Sequence, residues 1–437
     1  MPKDIEFIIN RLKSYGFSAY IVGGSLRDML LGIKPCDYDI ATSAKPEEVE
    51  NIFKGYILSD IGRKYGTIVV RINKYDVEIT TFRLEGSYEE NRKPCNVVFT
   101  DRIEDDLLRR DFTVNAMASD GEVFIDLFSG RQDIEKKIIR TVNNPDMRIK
   151  EDALRILRAV RISSKLGFEI DIELKKAIKR NRNLLYNLSK ERIKQEIEKI
   201  LLSDRPSVAF RTMQELDILE IVLQDLYKCI DFDQENPHHS MDLFNHTLCV
   251  VDNVDKNIAL RYAALFHDIG KIYTKSYDEN HIAHYYNHEI KSAEIAQRVL
   301  TEFNVSNEIK KRVNILITEH MKVSENATDK ALRRKIRKVS EDNIFLLYSL
   351  LIADRICTIE NREIEFLEKQ TQRIKELLNE ETAKEKFLKI NGTDIMKLGY
   401  KEGKIIGEIL RYLEDIVIDN PSLNDREKLI EIVKNKF

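Results

Sequence analysis

The sequence predicts an α+β fold in which a small mixed sheet with a few helices precedes an all-helical body. Short runs of β-branched residues, bounded by turn residues, concentrate before Ile134. After Ile134, apolar residues recur at about 3.6-residue intervals almost to the C-terminus. The 437 residues include only 16 Gly and 8 Pro, which is typical of a chain with few loops and much helix.

The predicted elements follow one another in a simple order. The N-terminal segment MPKDIEFIINRLKSYGF has the pattern of an amphipathic helix. Strands follow it, and a helix that begins near Ser25 and stops at Gly32 separates the first two. The predicted strands are Ala19–Val22, Asp37–Ala41, Thr67–Ile72, Val77–Phe82, Val97–Thr100 and Val123–Phe128. Helical stripes such as that of Ala153, Leu154, Leu157, Val160 and Ile162 then continue the chain.

The length predicts more than one domain, because about one domain per 150 residues is usual. Within the helical part, the best breaks are Arg205-Pro206 and the segment Asp231–His239, which contains Pro237. We therefore predict boundaries near residues 140, 230 and 375. The predicted regions are 1–140, 141–230, 231–375 and 376–437.

Charge and cysteine content exclude several classes of protein. The formal net charge of −3 excludes a polycationic nucleic-acid coat, although the stretch Arg148–Lys199 has 15 basic against 8 acidic residues. The sequence contains no apolar stretch of the ~18–20 residues that span a bilayer and no secretion signal, so we expect no membrane association. The five cysteines lie far apart without a C-x-x-C pair. This pattern predicts a cytoplasmic protein with neither a disulfide framework nor a structural zinc site.

The segment YIVGGSLRDMLLGIKPCDYDIAT contains a glycine turn at the end of the first strand. Gly23 and Gly24 let the backbone approach a ligand closely, and Ser25 is predicted to open a helix. The N–H groups at that helix N-terminus are suited to a triphosphate. The lysine and glycine spacings fit neither a P-loop nor a dinucleotide-binding motif.

Two aspartates in the next strand are candidates for a metal site. Asp37 and Asp39 are two residues apart, so their carboxylates point to the same face of a strand and suit Mg²⁺. Glu78, in YDVEITTF, is the natural third carboxylate, with Asp76 as its competitor. A surface strand carrying two solvated aspartates is the alternative interpretation of the D-x-D pattern alone.

Further segments follow in a fixed order: DLLRRDFTVNAMA from Asp106, EDALRILRAVRISSKLGF from Glu151 and ERIKQEIEKIL from Glu191. Together with the glycine turn and paired aspartates, they resemble the class II tRNA nucleotidyltransferases (the CCA-adding enzyme and poly(A) polymerase family). That family belongs to the DNA polymerase β superfamily. The resemblance covers about the first 230 residues. It implies a polymerase β-like catalytic head over residues 1–140 and a base-selecting, tRNA-binding helical region over 141–230.

The resemblance implies template-free addition of the 3′-terminal CCA to tRNA from CTP and ATP. Asp37, Asp39 and Glu78 would be catalytic, with two Mg²⁺ ions held by the two aspartates. Arg109 and Arg110 can pair with phosphates, and Asp111 can accept hydrogen bonds from ribose hydroxyls. The remaining nucleotide-binding residues that we expect are Gly23, Gly24, Ser25, Arg27, Asn115, Glu151, Asp152, Arg155, Arg158 and Arg161.

The E-D-x-x-R motif is the strongest candidate for base selection. We expect Glu151, Asp152 and Arg155 at positions i, i+1 and i+4 of one helix, with Asp152 and Arg155 as neighbours on one face. Cytosine and adenine both present an amine beside an unprotonated ring nitrogen, whereas uracil and guanine invert that pattern. A carboxylate and an arginine would therefore accept C and A and reject U and G.

Two further segments are assigned by resemblance or by charge. The polar segment Arg83–Pro94 resembles the flexible loop of enzymes that add the complete CCA. Arg158, Arg161 and Lys165 extend a basic helix face on which the acceptor arm of tRNA could lie.

All eight histidines lie between His238 and His320, which indicates that one region carries its own chemistry. His246, the pair His267-Asp268, and Asp354 follow the metal-ligand order of the HD phosphohydrolase superfamily. Such a set suits Mn²⁺, Ni²⁺, Fe²⁺ or Mg²⁺, while His288 and His320 could bind a second metal or the phosphate. We predict an HD domain over 231–375, with phosphatase or 2′,3′-cyclic phosphodiesterase activity toward RNA ends, followed by a helical tail over 376–437.

Two rivals to CCA addition stay open at this point. A bacterial poly(A) polymerase shares the motifs of the head, although the ending N-A-M-A favours the CCA-adding enzyme. A non-catalytic RNA-binding protein is the second rival, and the presence of both Asp37 and Asp39 counts against it. The sequence does not predict the oligomeric state.

Overall fold

The computed structural model divides the chain into two compact units, Met1–Lys228 and Cys229–Phe437. The structure describes residues 1–85, 97–235, 241–358, 364–380, 388–401 and 403–437. From residue 86 onward, the loop predicted over Arg83–Pro94 lies outside the described residues. Pro237, His238 and His239 also lie outside them. The break between the units falls close to the predicted boundary near 230.

The first unit contains a seven-stranded sheet of order β3-β4-β5-β2-β1-β8-β9. Neighbouring strands are antiparallel except β2 and β5, which are parallel. The strands of the described chain are β1 Ala19–Val22, β2 Tyr38–Thr42, β3 Ile57–Ser59, β4 Thr67–Ile72, β5 Tyr75–Thr81, β6 Arg83–Glu85, β7 Val97–Phe99, β8 Met117–Ser119, β9 Phe124–Asp126, β10 Ile138–Ile139, β11 Glu169–Ile170, β12 Ser276–Tyr277 and β13 Ala283–His284.

Helices cover this sheet and then make up most of the described chain, which confirms the predicted fold class. The helices are α1 Lys3–Ser14, α2 Gly23–Leu30, α3 Pro46–Ile52, α4 Ile103–Leu108, α5 Gly130–Lys136, α6 Pro145–Glu151, α7 Leu154–Leu166, α8 Ile172–Asn181, α9 Lys190–Leu201, α10 Pro206–Glu215, α11 Leu219–Val222, α12 Gln224–Tyr227, α13 Leu243–Asn253, α14 Ile258–Phe266, α15 Lys271–Thr274, α16 His288–Glu302, α17 Asn307–Glu319, α18 Asp329–Val339, α19 Glu341–Ile356, α20 Glu365–Glu380, α21 Gly392–Lys397, α22 Lys404–Asp419 and α23 Arg426–Lys436.

The apolar periodicity explains which helix faces are buried. In α1, Ile5, Ile8, Ile9 and Leu12 are buried and recur at the spacing of one helical face. In α7, the predicted stripe packs inward, and α7 contacts α9 and α10. None of the described helices combines the length and the apolar character needed to cross a bilayer.

Several boundaries differ from the sequence prediction. Helix α2 begins at Gly23 rather than at Ser25, because Gly23 has a φ of 69° that turns the chain directly from β1 into the helix. The short strands β3 and β8 were not predicted, since three residues offer too little alternation to be recognised. The predicted boundary near 375 falls inside α20, and the boundary near 140 stays a prediction.

The second unit is helical, and α13, α14, α16, α17 and α19 pack against one another. A disulfide joins Cys249 of α13 to Cys357, the residue that follows α19. The expectation that the cysteines form no disulfide is therefore wrong for this pair. The two thiols are 108 residues apart in sequence, and only helix packing brings them together.

Candidate active sites

The first candidate site lies where β1 runs into α2 beside β2. A Cβ atom on Gly23 would lie 3.1 Å from Arg110 Nη1 and 3.2 Å from Asp39 Oδ2, so this position lacks room for a side chain. Ser25 donates a hydrogen bond from Oγ to the Val22 carbonyl at 2.8 Å and accepts one from the Asp39 amide at 3.4 Å. The glycine turn therefore brings the first turn of α2 against the Asp39 carboxylate.

Three carboxylates lie on or beside the neighbouring central strands β2 and β5. Asp39 of β2 is the register partner of Glu78 on β5, and Asp37 precedes β2 by one residue. Burial, opposed by Arg110 and reinforced by Glu78 and Asp37, raises the pKa of Asp39 to about 6. Asp76 pairs instead with Arg71 at 2.6 Å, so Glu78 is the better third carboxylate. The oxygens of Asp37, Asp39 and Glu78 do not all lie within 4.8 Å of one another in the described structure.

Two arginines of the R-R-D motif are fixed by one buried carboxylate. Asp106 is fully buried and accepts from Arg109 at 2.7 Å and from Arg110 at 3.0 Å. Burial would raise the pKa of Asp106, but the two guanidinium groups lower it below its ordinary value. Both arginines face the cavity with their orientation already set.

Asp111, the third residue of that motif, is held by neighbours from other elements. Its carboxylate accepts from Arg158 Nε at 2.7 Å, from Asn115 Nδ2 at 3.2 Å and from its neighbour's amide, Phe112 N, at 2.9 Å. Burial opposes ionisation, yet Arg158 and these hydrogen bonds hold the pKa of Asp111 well below its usual range. The Asn115 side chain also accepts from Arg27 Nη1 at 2.7 Å, which ties α2 to this motif.

The E-D-x-x-R motif does not lie on one helix, so that part of the prediction is wrong. Asp152 has extended backbone angles between α6 and α7, and its Oδ1 accepts from the Leu154 amide at 3.0 Å. Asp152 therefore caps the second helix rather than continuing the first. Asp152 pairs with Arg192 of α9 at 2.8 Å, whereas Arg155 pairs with Glu151 at 2.6 Å.

Glu151 belongs to a network beneath these residues. Arg148 pairs with Glu151 at 2.5 Å and also donates to the carbonyl oxygens of Arg109 and Arg110. Arg155 donates to the Arg148 carbonyl at 2.8 Å. The network couples α6 and α7 to the R-R-D segment, so Glu151 and Arg148 orient other groups rather than face the cavity.

A cavity of about 320 Å³ collects most of the predicted residues. Those that line it are Gly23, Gly24, Asp39, Arg109, Arg110, Asp111, Asn115, Asp152, Arg155 and Arg158. Those that do not line it are Ser25, Arg27, Asp37, Glu78, Glu151 and Arg161. Arg161 is instead paired with the buried Glu196 at 2.6 Å, so its part in a tRNA surface is not supported by its geometry.

Sequence reasoning missed three residues that this site uses. Asp106 could have been found, because it precedes Arg109 and Arg110 by three and four residues in a helical pattern. Arg148 likewise precedes Glu151 by three residues. Arg192 had no local signal, since 40 residues separate it from Asp152.

The second candidate site is a buried cluster of histidines and aspartates in the second unit. The ligand atoms of His246, His267, Asp268 and Asp354 all lie within 4.8 Å of one another. Asp268 forms a second such group with His288 and His320. The structure therefore brings together all six residues of the second unit that were predicted as metal ligands. Asp268 is common to both groups, so its carboxylate could contribute a ligand atom to either.

Each histidine of the cluster directs Nε2 toward the carboxylates. The Nδ1 atoms of His267, His288 and His320 lie 2.8, 2.7 and 2.6 Å from carbonyl oxygens of Ala264, Tyr285 and Ile317. A carbonyl can only accept, so Nδ1 carries a proton, and in the neutral imidazole Nε2 keeps the lone pair that a metal ion needs. These three Nε2 atoms are buried without a hydrogen-bond partner in the described structure. Such a donor set fits a divalent cation.

The carboxylates of this cluster are strongly influenced by neighbouring cations. Burial lowers the pKa of His267, but Asp268 and Asp354 more than offset it and raise that pKa to about 10. Lys271 donates to Asp268 at 2.7 Å and to Gln234 at 2.9 Å. Without a metal ion, the positive charges of protonated histidine and Lys271 balance the buried carboxylates. A divalent cation can supply this positive charge instead.

Comparison with family models identifies three matching segments. Residues 19–140 match the model described as "Poly A polymerase head domain". Residues 167–229 match "Probable RNA and SrmB- binding site of polymerase A", and residues 276–433 match "tRNA nucleotidyltransferase domain 2 putative". The last segment includes His288 and His320 of the second site.

Relatives named CCA-adding enzyme match this chain over nearly its whole length or over about half of it. The CCA-adding enzyme of Ligilactobacillus salivarius is 35% identical over 98% of this chain and 95% of that protein. The CCA-adding enzyme of Geobacillus thermodenitrificans is 51% identical over 195 residues, which are 44% of this chain and 48% of that protein. A crystal structure of the Bacillus stearothermophilus CCA-adding enzyme in complex with CTP has a TM-score of 0.73 at 27% identity, and it covers 99% of this chain and 98% of that one.

Proposed function

Because the chain belongs to the family of CCA-adding enzymes, we propose that it adds and repairs the 3′-terminal CCA of tRNA without a template. Its substrates would be CTP, ATP and the tRNA 3′ end, and its site of action the cytoplasm. The observation that carries the proposal is the cavity in which Asp39, the R-R-D segment and the E-D-x-x-R segment meet. A relative that was crystallised with CTP supports the nucleotide.

The reaction that we propose is nucleotidyl transfer. The tRNA 3′-hydroxyl oxygen bonds to the α-phosphorus, the bond from that phosphorus to the β-phosphate oxygen breaks, and pyrophosphate leaves. Two Mg²⁺ ions at Asp37 and Asp39, with Glu78 nearby, would supply charge to the phosphates and lower the pKa of the hydroxyl. Arg109 and Arg110 would bind the triphosphate, since Asp106 holds both guanidinium groups toward the cavity.

The remaining residues would select the sugar and the base. Asp111 stays ionised, so it can accept hydrogen bonds from ribose hydroxyls. Asp152 would accept from the amine of cytosine or adenine, and Arg155 would donate to the ring nitrogen. Glu151 would position Arg155, to which it is already paired.

The test is extension of a tRNA transcript that lacks its 3′-CCA, with each nucleoside triphosphate supplied separately and then CTP and ATP together. We expect two C residues from CTP alone and completion only when ATP is present. In Asp152→Ala, kcat/KM for UTP and GTP should rise by about 10-fold or more relative to kcat/KM for CTP and ATP. Asp146→Ala, which removes a partly buried carboxylate that pairs with Arg180 and does not line the cavity, serves as the matched control. Unchanged discrimination in Asp152→Ala would contradict the selection mechanism.

The rival functions predict different products in the same assay. A poly(A) polymerase would add a run of A from ATP alone, and a non-catalytic RNA-binding protein would add nothing. The match of residues 19–140 to a poly(A) polymerase head does not separate these activities, because the family shares that head. Relatives that match nearly the whole chain favour CCA addition.

We further propose that the second unit contains an HD-type phosphohydrolase site. The three buried Nε2 atoms without hydrogen-bond partners in the described structure, together with two carboxylates, carry this proposal. A divalent cation at this cluster would lower the pKa of a water and polarise a phosphoester. Water oxygen would bond to phosphorus, and the ester oxygen would leave with a proton, so that a 2′,3′-cyclic phosphate would open to a monoester.

The double variant His267→Ala and Asp268→Ala tests this second activity. We expect loss of Mn²⁺-dependent or Ni²⁺-dependent hydrolysis of 2′,3′-cyclic phosphates, with CCA addition retained. His281→Ala is the matched control, since His281 is exposed and is not part of the cluster. Metal-dependent phosphodiesterase activity that persists in the double variant would overturn the assignment.

A further inference from the structure

A cavity of about 390 Å³ opens beside the histidine cluster and extends well beyond the metal ligands. At one end are Asp268, Asp354, His288 and His320, and the rest of the wall comes from other side chains. A cation at the cluster alone therefore leaves most of this volume to a ligand.

One arginine in this cavity has an unusual environment. Arg355 directly follows the proposed ligand Asp354, and its guanidinium lies 4.6 Å from the centre of the Phe366 ring. Among the residues that the structure describes, no carboxylate pairs with Arg355. The other cation of the wall, Lys271, is already bound to Asp268. Arg355 is thus the cation available to a negatively charged ligand, and its planar fork suits a phosphate.

The opposite part of the wall is aromatic and apolar. Tyr286 is 70% exposed, although it lines the cavity, and its ring stacks on His284 with centroids 5.5 Å apart and planes 13° apart. Met321 is 54% exposed on the same wall. An exposed, preformed aromatic stack in the same cavity as a cation is a combination that suits a nucleobase and a phosphate of one ligand.

We propose that this cavity binds a nucleoside phosphate, with the phosphate on Arg355 and the base stacked on Tyr286. The proposal rests on the phosphohydrolase function proposed above and names its substrate class and two specificity-determining residues. A free nucleotide and the last nucleotide of an RNA share this chemistry. The apolar wall explains why a base, rather than a sugar phosphate alone, would be held.

Binding measured by calorimetry on the full chain tests the proposal. The Asp39→Asn background weakens metal-dependent nucleotide binding at the first site. The probes are Mn²⁺ alone, inorganic phosphate, adenosine 3′-monophosphate and a trinucleotide with a 3′-phosphate. Arg355→Met should weaken phosphate and nucleotide binding about tenfold or more and leave Mn²⁺ binding unchanged. Tyr286→Ala should weaken adenosine 3′-monophosphate at least fivefold without affecting phosphate.

Arg312→Met provides the control, because Arg312 pairs with Glu308 outside the cavity. Arg355→Lys keeps the charge and should fall between the wild type and Arg355→Met, which separates binding from folding. Equal nucleotide affinity in Arg355→Met and the wild type would overturn the proposal, as would equal losses of phosphate and nucleotide in Tyr286→Ala. A different result would show that the phosphohydrolase proposal fails. In that case His267→Ala, which removes a proposed metal ligand, would leave Mn²⁺ binding unaffected. If the trinucleotide binds more tightly than adenosine 3′-monophosphate, the occupant is an RNA end. If it binds more weakly, the occupant is a free nucleotide.

Discussion

At the scale of single residues, the first site depends on groups that hold other groups in place. Asp106 aims Arg109 and Arg110, and Arg148 binds the backbone carbonyls of both arginines. Hydrogen bonds to a buried charge contribute more than exposed ion pairs do, because water does not compete for them. The orientation of the residues proposed to contact substrate therefore depends on Asp106 and Arg148.

Arg148→Met removes that support and should weaken catalysis without removing any group that lines the cavity. We expect kcat/KM for CTP to fall at least tenfold and the free energy of unfolding to fall by about 2–3 kcal/mol. Arg180→Met is the matched control, since Arg180 pairs with Asp146 at the surface and such pairs contribute about 0–1 kcal/mol. If both variants behave alike in kinetics and urea unfolding, Arg148 does not position the R-R-D segment.

The pKa of Asp39 gives the first site a specific pH dependence. Burial, reinforced by Glu78 and Asp37 and opposed by Arg110, raises this pKa to about 6. Activity that needs the carboxylate should therefore fall as the pH drops through about 6. Because Mg²⁺ competes with the proton, raising the Mg²⁺ concentration should move this acidic limb of kcat/KM to lower pH. If the acidic limb of the kcat/KM profile does not move with the Mg²⁺ concentration, a group other than Asp39 is responsible for it.

The same residues show what sequence can and cannot predict. Asp37, Asp39 and the R-R-D motif are recognisable because their chemistry is contained in a few consecutive positions. The partnership of Asp152 with Arg192 depends on packing between α9 and the break after α6, so no local pattern reports it. The break itself was missed, because E-D-x-x-R has the spacing of a helix whether or not Asp152 leaves it.

At the scale of elements, close packing of helices determines where the histidines lie. A Cβ atom on Gly270 would lie 2.3 Å from the His288 carbonyl and 2.7 Å from the Ser292 amide. The turn after His267-Asp268 can therefore approach the start of α16 only with glycine at this position. This contact places His288 beside Asp268, at 3.1 Å from Nε2 to Oδ1.

Gly270→Ala should separate α16 from that turn and weaken metal binding by the cluster. We expect a loss of about 2–4 kcal/mol in the free energy of unfolding, because the new methyl group overlaps backbone atoms. In Gly407→Ala, the new methyl group would lie 3.8 Å from the Arg411 side chain, so this control in α22 should be neutral or slightly stabilising. Equal melting temperatures and equal Mn²⁺ affinities for the two variants would show that the contact is unimportant.

The disulfide between Cys249 and Cys357 joins two elements that carry cluster residues. Each cysteine follows a cluster residue by three positions, His246 in α13 and Asp354 in α19. Cross-linking residues this far apart in sequence constrains the unfolded chain, which stabilises a protein by about 2–4 kcal/mol. A dithiol reductant should therefore lower the melting temperature of the second unit, and Cys249→Ser should reproduce the effect.

Cys36→Ser is the control for this prediction, because Cys36 is an exposed free thiol in the first unit. CCA addition should change little in either variant or on reduction. If the melting temperature is the same with and without the reductant, the two cysteines do not form the disulfide in solution.

At the scale of the whole molecule, two compact units carry two candidate sites. The fold class could be predicted, because the change from strand-like to helical periodicity after Ile134 extends over many residues. The boundary predicted near 230, which depends on the segment Asp231–His239 with Pro237, lies close to the division between the two units. The boundary predicted near 375 falls within α20, since a helix that links two regions has the same periodicity as the regions themselves. The net charge of −3 fits a one-sided basic surface rather than an overall attraction for RNA.

The division into two units predicts that the two activities can be removed separately. Asp37→Ala with Asp39→Ala should reduce CCA addition by several orders of magnitude and leave metal-dependent phosphodiesterase activity unchanged. His267→Ala with Asp268→Ala should have the opposite effect. Assays of both activities on both variants check this, and loss of both activities in either variant at an unchanged melting temperature would argue against separate sites.

The central claim is that the first unit builds CCA by selecting C and A without a template. Sequencing the 3′ ends of a tRNA transcript lacking CCA, after incubation with all four nucleoside triphosphates at equal concentration, tests it most directly. We expect the extended molecules to end in C-C-A and to grow no further. A run of A residues, frequent U or G, or no extension would contradict it.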